Sequence, residues 1–413
     1  MDPQSTDSAV QSFYDRHPYP RPLDNLDAYR RLWSDLNRQR ADYHLYWPHR
    51  PFRDDFSILI AGCGTSQAAK YAMRWPHAHV VGIDFSQTSV QHTLVLKEKY
   101  ALANLSVHQL PIQRVEELSL TFDQIVCTGV LHHLADPASG LNALSRVLAP
   151  DGAMQLMVYA PYGRAGIYML QEFCRKLGIQ VTDEGIHLLN QVLRVLPPGH
   201  PLEHLIQHAP DILNEVELAD ALLNPRDQAY SVSRLVDLLG EAGLKFGRWV
   251  RQAAYLAQCG LLASTQLASR ITNLPMLEQY SAMELLRGTM LRHSAILYRK
   301  DASSSGRMIN FRDPGWKSYV PIRIADTICV NERLPEGAAA VLINQVHSYT
   351  DLYMPIDAIE KHWYDAIDGK RTIRAVIEHS RAIQRETPKS DKVRSFFERL
   401  WWYDQVVFDL SNT

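Results

Sequence analysis

Two glycines, a carboxylate and a histidine pair are the residues of this chain whose types and spacing could do chemistry. Gly62 and Gly64 follow the apolar, β-branched run Phe56-Ser57-Ile58-Leu59-Ile60-Ala61, and Thr65-Ser66 then opens a segment of helical character. The expected local structure is strand, tight turn, helix. Glycine permits positive φ and close backbone approach, and the N–H groups at a helix start attract polar or anionic groups, so such a turn can seat a ligand. Asp84 closes the next apolar run, His79-Val80-Val81-Gly82-Ile83-Asp84, about 20 residues later, the spacing at which a carboxylate can accept hydrogen bonds from ribose hydroxyls. Phe85 follows, placed to lie against an adenine ring. A dinucleotide fingerprint has a third glycine where this chain has Gln67, which favours a single nucleoside over nicotinamide or flavin dinucleotides.

Taken singly, each signal also has a bland reading as a structural turn or a buried strand end. Together and in order they carry more. Ala61-Gly62-Cys63-Gly64-Thr65-Ser66, the acid Asp84, and Phe122-Asp123-Gln124-Ile125-Val126-Cys127-Thr128-Gly129-Val130-Leu131-His132-His133-Leu134 resemble motifs I, II and IV of class I S-adenosylmethionine-dependent methyltransferases. Val147-Leu148-Ala149-Pro150-Asp151-Gly152 resembles that family's turn before strand five. The sequence departs from the pattern at Ile60, where an acidic residue is common, and at Ser66, where the third glycine usually stands.

The resemblance implies an α/β fold, a doubly wound seven-stranded sheet with helical insertions, and S-adenosyl-L-methionine as cofactor. It implies contacts from Gly62, Cys63, Gly64, Asp84, Phe85, Thr128 and Gly129, with Gln109 and the backbone of Leu110 beside the adenine. An N-terminal lid tyrosine paired with a histidine acts in phosphobase methyltransferases. By that similarity His133 with Tyr14 or Tyr19 is the expected catalytic constellation, and His132 the alternate. For either histidine a backbone hydrogen bond with no catalytic part is the competing reading.

The elements that must position these groups follow from the remaining pattern. A helix is expected from Leu26 to about Tyr46, a helix capped by Ser86 to about Leu102, a strand from Leu105 to Gln109, a strand from Gln124 to Cys127, a helix opened by Pro137, and a fifth strand from Ala153 to Tyr159. Ala160-Pro161-Tyr162-Gly163-Arg164 closes the fifth strand near the rim of the pocket. Helical insertions at about 163–230 and 252–290 interrupt the minimal fold, the first shaping a substrate pocket or serving only as a cap. Ser231 to Gly243 reads as a capped helix, Leu244 to Arg251 as strand six and His293 to Lys300 as strand seven. The domain division expected is residues 1–50 as lid and helix, 51–300 as the methyltransferase domain, and 307–413 as a small α+β C-terminal domain beyond the linker Asp301-Ala302-Ser303-Ser304-Ser305-Gly306. In that last region Ala338 to Gln345, Ile356 to Ile367 and Ile373 to Ala382 read as helical. Trp363-Tyr364-Asp365-Ala366-Ile367-Asp368-Gly369-Lys370-Arg371-Thr372-Ile373 resembles the winged-helix domain of PqqD-like peptide-recognition proteins, and Phe396 to Tyr403 forms an aromatic cluster packed on its own domain or in a partner groove.

Composition sets bounds. The chain has 413 residues, 43 basic against 45 acidic, and a formal net charge of −2. A broadly basic surface is absent, which disfavours nucleic acid as the main substrate. No apolar run reaches the length of a membrane span and the N-terminus lacks a signal-peptide core, so a cytoplasmic protein without membrane insertion is expected. Five scattered cysteines and seventeen histidines without ligand spacing suggest neither disulfides nor a metal. The expected function is methyl transfer to a small-molecule or peptide acceptor, with a homodimer left open; the alternative is a non-catalytic binding or scaffolding protein that keeps the fold.

Overall fold

The computed structural model describes residues 11, 15, 20–180, 182–208, 220–224, 226–302, 309–381 and 389–413. The chain divides into two compact units, one of residues 1–30, 54–246 and 287–301, the other of residues 31–53, 247–286 and 302–413. Tyr14, Tyr19 and the serines of the expected linker lie outside the described residues.

The first unit is built on seven strands: β1 (Ser57–Ala61), β2 (His79–Asp84), β3 (Leu105–Gln109), β4 (Phe122–Thr128), β5 (Leu148–Tyr159), β6 (Leu244–Trp249) and β7 (Arg292–Arg299), the last residues of β6 falling outside it. Their order is β3-β2-β1-β4-β5-β7-β6. The first five are parallel, and β7 runs antiparallel to β5, Met154 facing Leu297 through to Tyr159 facing Arg292. This is the doubly wound sheet of class I methyltransferases. The middles of its central strands are apolar, with Ile58, Leu59, Ile60, Ile125 and Val126 without solvent exposure, as expected where helices cover both faces. The order reverses between β1 and β4, which opens a crevice beyond their carboxyl ends.

Local chemistry sets the helix boundaries. Ser86 Oγ accepts the Ser89 N–H at the head of helix Gln87–Lys99, Asp136 caps helix Pro137–Val147 with proline in its first turn, and Ser231 caps helix Val232–Glu241. The first insertion holds helices Ala165–Lys176, Asp183–Arg194 and Pro201–His208 around a separate apolar cluster that includes Ile167, Leu189 and Leu202.

The second unit contains β8 (Val320–Arg323), β9 (Thr327–Val330), β10 (Ala340–Asn344), β11 (Tyr353–Ile356) and β12 (Val406–Asp409), arranged as the sheets β11-β10-β9 and β12-β8. Helices Ala358–Asp365 and Ile373–Arg381 flank the turn at Gly369. Asp404, with a side chain 1% exposed, organises this unit by accepting from Arg248, from the Gln252 and Ala253 N–H groups and, at 3.2 Å, from His347 Nε2. The aromatic run packs inward, with Phe396 in contact with both Trp363 and Phe397.

Three local expectations are corrected. Ala338 to Gln345 contains the central strand of a three-stranded sheet instead of a helix. Val341, Leu342 and Ile343 pair with neighbours on both sides, and β-branched side chains fit that pleated setting better than a helix. The helix read from Leu26 to Tyr46 is two helices, Asp27–Leu32 and Leu36–Tyr46, because the Asp35 carboxylate accepts the Asn37 N–H and starts the second one. Strand β5 begins at Leu148 instead of Ala153, with a register shift against β4 between Phe122 and Gln124.

Candidate active site

The turn after β1 is built on two residues with positive φ, Gly62 at +74° and Gly64 at +52°. A Cβ on Gly62 would meet Val130 Cγ2 at 2.3 Å. Only glycine fits there, and the close approach lets the turn lie against the end of β4. The Gly62 and Cys63 N–H groups both donate to the Ile83 carbonyl at 2.9 Å, which ties the turn to β2. The Gly64 N–H donates to Asp84 Oδ2 at 2.8 Å, and the Ser86 N–H to Asp84 Oδ1 at 2.9 Å. Two separately encoded motifs are thus joined by one carboxylate. Burial pushes the Asp84 acid up to about 6 against the opposing pull of these two N–H donors.

Beyond β2, the Gln109 amide donates to the Phe85 carbonyl at 3.2 Å and the Leu110 N–H donates to the Asp84 carbonyl at 2.8 Å. Gln67 Nε2 donates to Thr128 Oγ1 at 2.8 Å, bridging the helix after the glycine turn to the end of β4. The N-terminal segment reaches the same region. Gln11 donates to the Phe85 carbonyl, Asp15 accepts the Ser86 hydroxyl at 2.6 Å, and Thr65 Oγ1 donates to the Pro20 carbonyl at 2.7 Å.

These groups surround a cavity of about 630 Å3, within the range of small-molecule sites. The structure brings all nine residues expected to touch a cofactor to its wall: Gly62, Cys63, Gly64, Asp84, Phe85, Gln109, Leu110, Thr128 and Gly129. His133 lines it as well. Val130 stands at the pocket edge as expected with Thr128 and Gly129, and Gln11 and Pro20 belong to the N-terminal segment read as an arm or a lid; sequence reasoning missed Gln67 as a wall residue. Gln67 had a signal, since it stands at a glycine position of a related fingerprint; for Gln11 and Pro20 the aromatic, proline-rich segment pointed to an arm or a lid, and which of its residues meet the wall was set by tertiary folding.

The two histidines differ in setting. His133 Nδ1 lies 2.6 Å from the Arg226 carbonyl. A carbonyl oxygen can only accept, so Nδ1 carries the proton and Nε2 is the basic nitrogen. His132 is absent from the cavity wall and has no solvent exposure; its ring packs 3.8 Å from that of Tyr159, and neither ring nitrogen has a hydrogen-bond partner. Burial, with His133 and Arg164 nearby, holds it well below the usual imidazole range, so it stays neutral. Cys63 is fully buried, and burial pushes its thiol up, beside the Asp84 carboxylate, so it is no nucleophile. Among the described residues no group of three His, Cys, Asp or Glu is placed to hold a metal, and no helix is long and apolar enough to cross a membrane.

Residues 59–154 match the family described as a methyltransferase domain. The chain is 29% identical over 294 residues to an uncharacterized protein of Synechococcus, covering 69% of this chain and 70% of that one. It is 25% identical over 156 residues to the ubiquinone biosynthesis O-methyltransferase of Acinetobacter baylyi, covering 37% of this chain and 60% of that relative's length. Among solved structures, PKMT2 of Rickettsia typhi superposes with a TM-score of 0.65 at 15% identity over 91% of this chain and 75% of that one, and its complex with AdoHcy does so at 0.64. Residues 59–154 thus carry a methyltransferase domain, on a sheet with the class I methyltransferase fold.

Proposed function

We propose that this chain methylates a hydroxyl group of a small organic acceptor, with His133 as general base. The single observation that carries this reading is the 2.6 Å contact between His133 Nδ1 and the Arg226 carbonyl, which assigns Nδ1 as a donor and makes Nε2 the basic nitrogen of the neutral tautomer, on a side chain of the cavity wall. The O-methyltransferase named above, similar over part of its length, supports a hydroxyl as the group methylated.

The cavity wall suits the cofactor. The glycine turn packs directly on Val130 with no side chain between, and Asp84 keeps lone pairs beside its two backbone contacts for the ribose hydroxyls. Phe85, Gln109 and Leu110 would flank the adenine. When bound, S-adenosylmethionine supplies a methyl carbon on a positively charged sulfur, open to displacement from the far side. The protein's part is to hold the acceptor in line, exclude water and take the proton that a hydroxyl loses as its oxygen gains the methyl group. His133 Nε2 is the atom in this wall suited to receive it. Gln11 and Pro20, and by similarity Tyr14 or Tyr19, would cover the cavity from the N-terminal side.

Transfer of label from S-[methyl-3H]adenosylmethionine to 3,4-dihydroxybenzoate and to a lysine-rich peptide tests this reading. Label on the catechol that is lost in His133→Asn supports it. Label on the peptide alone overturns the hydroxyl assignment.

A further inference from the structure

Behind His133 lies a buried charged pair that the methyl-transfer reading does not use. Arg164 is 7% exposed, and its Nη2 lies 2.8 Å from Asp227 Oδ2, a carboxylate whose side chain is 1% exposed. Gln171 also donates to that oxygen, at 3.2 Å, and bridges to the Ala221 carbonyl at 2.8 Å. Asp227 Oδ1 has no partner. A buried ion pair with an unmet lone pair is a poor device for stability, since desolvation offsets most of its attraction. Its neighbours point to another use.

Arg164 Cζ lies over the Tyr159 ring, 3.5 Å from its centre, and its Nε donates to Tyr168 Oη at 3.3 Å. Tyr159 packs against His132 at 3.8 Å and edge-on to His133 at 5.8 Å, while the two imidazoles are 4.2 Å apart. The segment 226–230 threads along this stack. Its Gln228 N–H donates to the His132 carbonyl at 3.1 Å and its Tyr230 N–H to the Tyr159 carbonyl at 2.9 Å. Asp227, in the middle, is the residue Arg164 holds, and Arg226, one residue earlier, supplies the carbonyl that accepts from His133 Nδ1.

We propose that Arg164 and Asp227 are positioning residues for His133. The pair fixes segment 226–230 so that the Arg226 carbonyl takes the Nδ1 proton and the imidazole is kept in the tautomer whose Nε2 is basic. Arg164 acts on the same histidine from the other side by clamping Tyr159. The insertion after β5 therefore does more than cap the fold: it supplies the partner that sets the protonation pattern of a cavity residue. The inference rests on the role assigned to His133, but the tautomer it predicts can be measured without any acceptor.

The test uses full-length protein saturated with S-adenosylhomocysteine, 15N-labelled at histidine, and reads long-range 1H–15N correlations, which distinguish Nδ1–H from Nε2–H imidazole. Wild type is expected to show His133 as Nδ1–H. Arg164→Met and Asp227→Asn are each expected to convert this to a mixture of tautomers, with S-adenosylhomocysteine affinity by calorimetry unchanged within about twofold. The double variant is expected to do no more than either single one. Arg164→Lys, which keeps the charge without the planar guanidinium, is expected to lie between wild type and Arg164→Met, and it carries the test if Arg164→Met does not fold. A pure Nδ1–H signal in folded Arg164→Met or Arg164→Lys overturns the positioning role. Wild type that binds no S-adenosylhomocysteine would instead overturn the functional reading and leave the tautomer measurement standing on the apoprotein.

Discussion

The Gly64 N–H donates to Asp84 Oδ2 across 2.8 Å, so the glycine turn after β1 and the carboxylate after β2 form one structure before any ligand arrives. The turn cannot move without Asp84, and Asp84 cannot change its charge without altering the turn. Several measurable properties follow from this bond and from the side chains around it.

The Asp84 acid is pushed up to about 6 from 3.8 by burial. Its folded-state value exceeds its unfolded one, so its contribution to apoprotein stability is complete below about pH 3.8 and is lost as pH rises through about 6. The shift corresponds to about 3 kcal/mol at most. Thermal unfolding of the apoprotein between pH 4 and 7 should show this slope, and Asp84→Asn should abolish it. Cofactor binding runs the other way, because the ionised carboxylate is the better acceptor for ribose hydroxyls. Affinity for S-adenosylhomocysteine should fall about tenfold from pH 7 to pH 5 in wild type. A flat calorimetric profile would contradict this.

Gly62→Ala places a methyl group 2.3 Å from Val130 Cγ2 on a backbone with φ of +74°. The strain and the clash together should cost about 2–4 kcal/mol. The melting temperature should drop, and affinity for S-adenosylhomocysteine should drop with it. Val130→Ala should relieve part of the clash and restore part of both.

Gln67 and Thr128 form a polar pair on the cavity wall at the end of β4. If the nucleoside lies at Asp84, the amino-acid end of the cofactor is left to this pair. Gln67→Leu should weaken S-adenosylhomocysteine by about tenfold, the worth of one or two polar contacts. It should leave 5′-methylthioadenosine, which lacks that end, within about twofold. Equal losses for both ligands would place the pair elsewhere in recognition.

His132 buries two unpartnered ring nitrogens. Replacing it by phenylalanine removes their desolvation cost and keeps a flat ring against Tyr159. His132→Phe should keep or raise the melting temperature, with S-adenosylhomocysteine affinity intact. A loss of more than about 2 kcal/mol in chemical denaturation would show that the imidazole is needed for packing in its own right.

In the second unit, Asp404 accepts from Arg248, His347 and two backbone N–H groups with almost no solvent contact. Asp404→Asn turns one acceptor toward those donors as a donor itself. The expected cost is about 3 kcal/mol or more, read as a lower denaturation midpoint.

What the sequence determined by itself was whatever rests on local spacing. The apolar runs located β1 to β4 to within two residues and the end of β5, Gly62 and Gly64 announced a turn that needs positive φ, and Asp84 and Thr128 were placed because strand ends in a parallel sheet converge on one edge. Ser86, Ser231 and Pro137 marked helix starts through capping chemistry that acts over three residues. Only the tertiary structure decided the rest. Ala340 to Asn344 became a strand because two neighbours, both distant in sequence, were there to pair with it. His132 and His133, adjacent and chemically alike, were separated by what packs around them: one ring sealed against Tyr159, the other turned to a carbonyl 93 residues away and to the cavity. Local sequence encodes backbone preference, whereas burial and long-range hydrogen bonds set the charge and tautomer of a side chain, and these exist only once the chain has closed on itself.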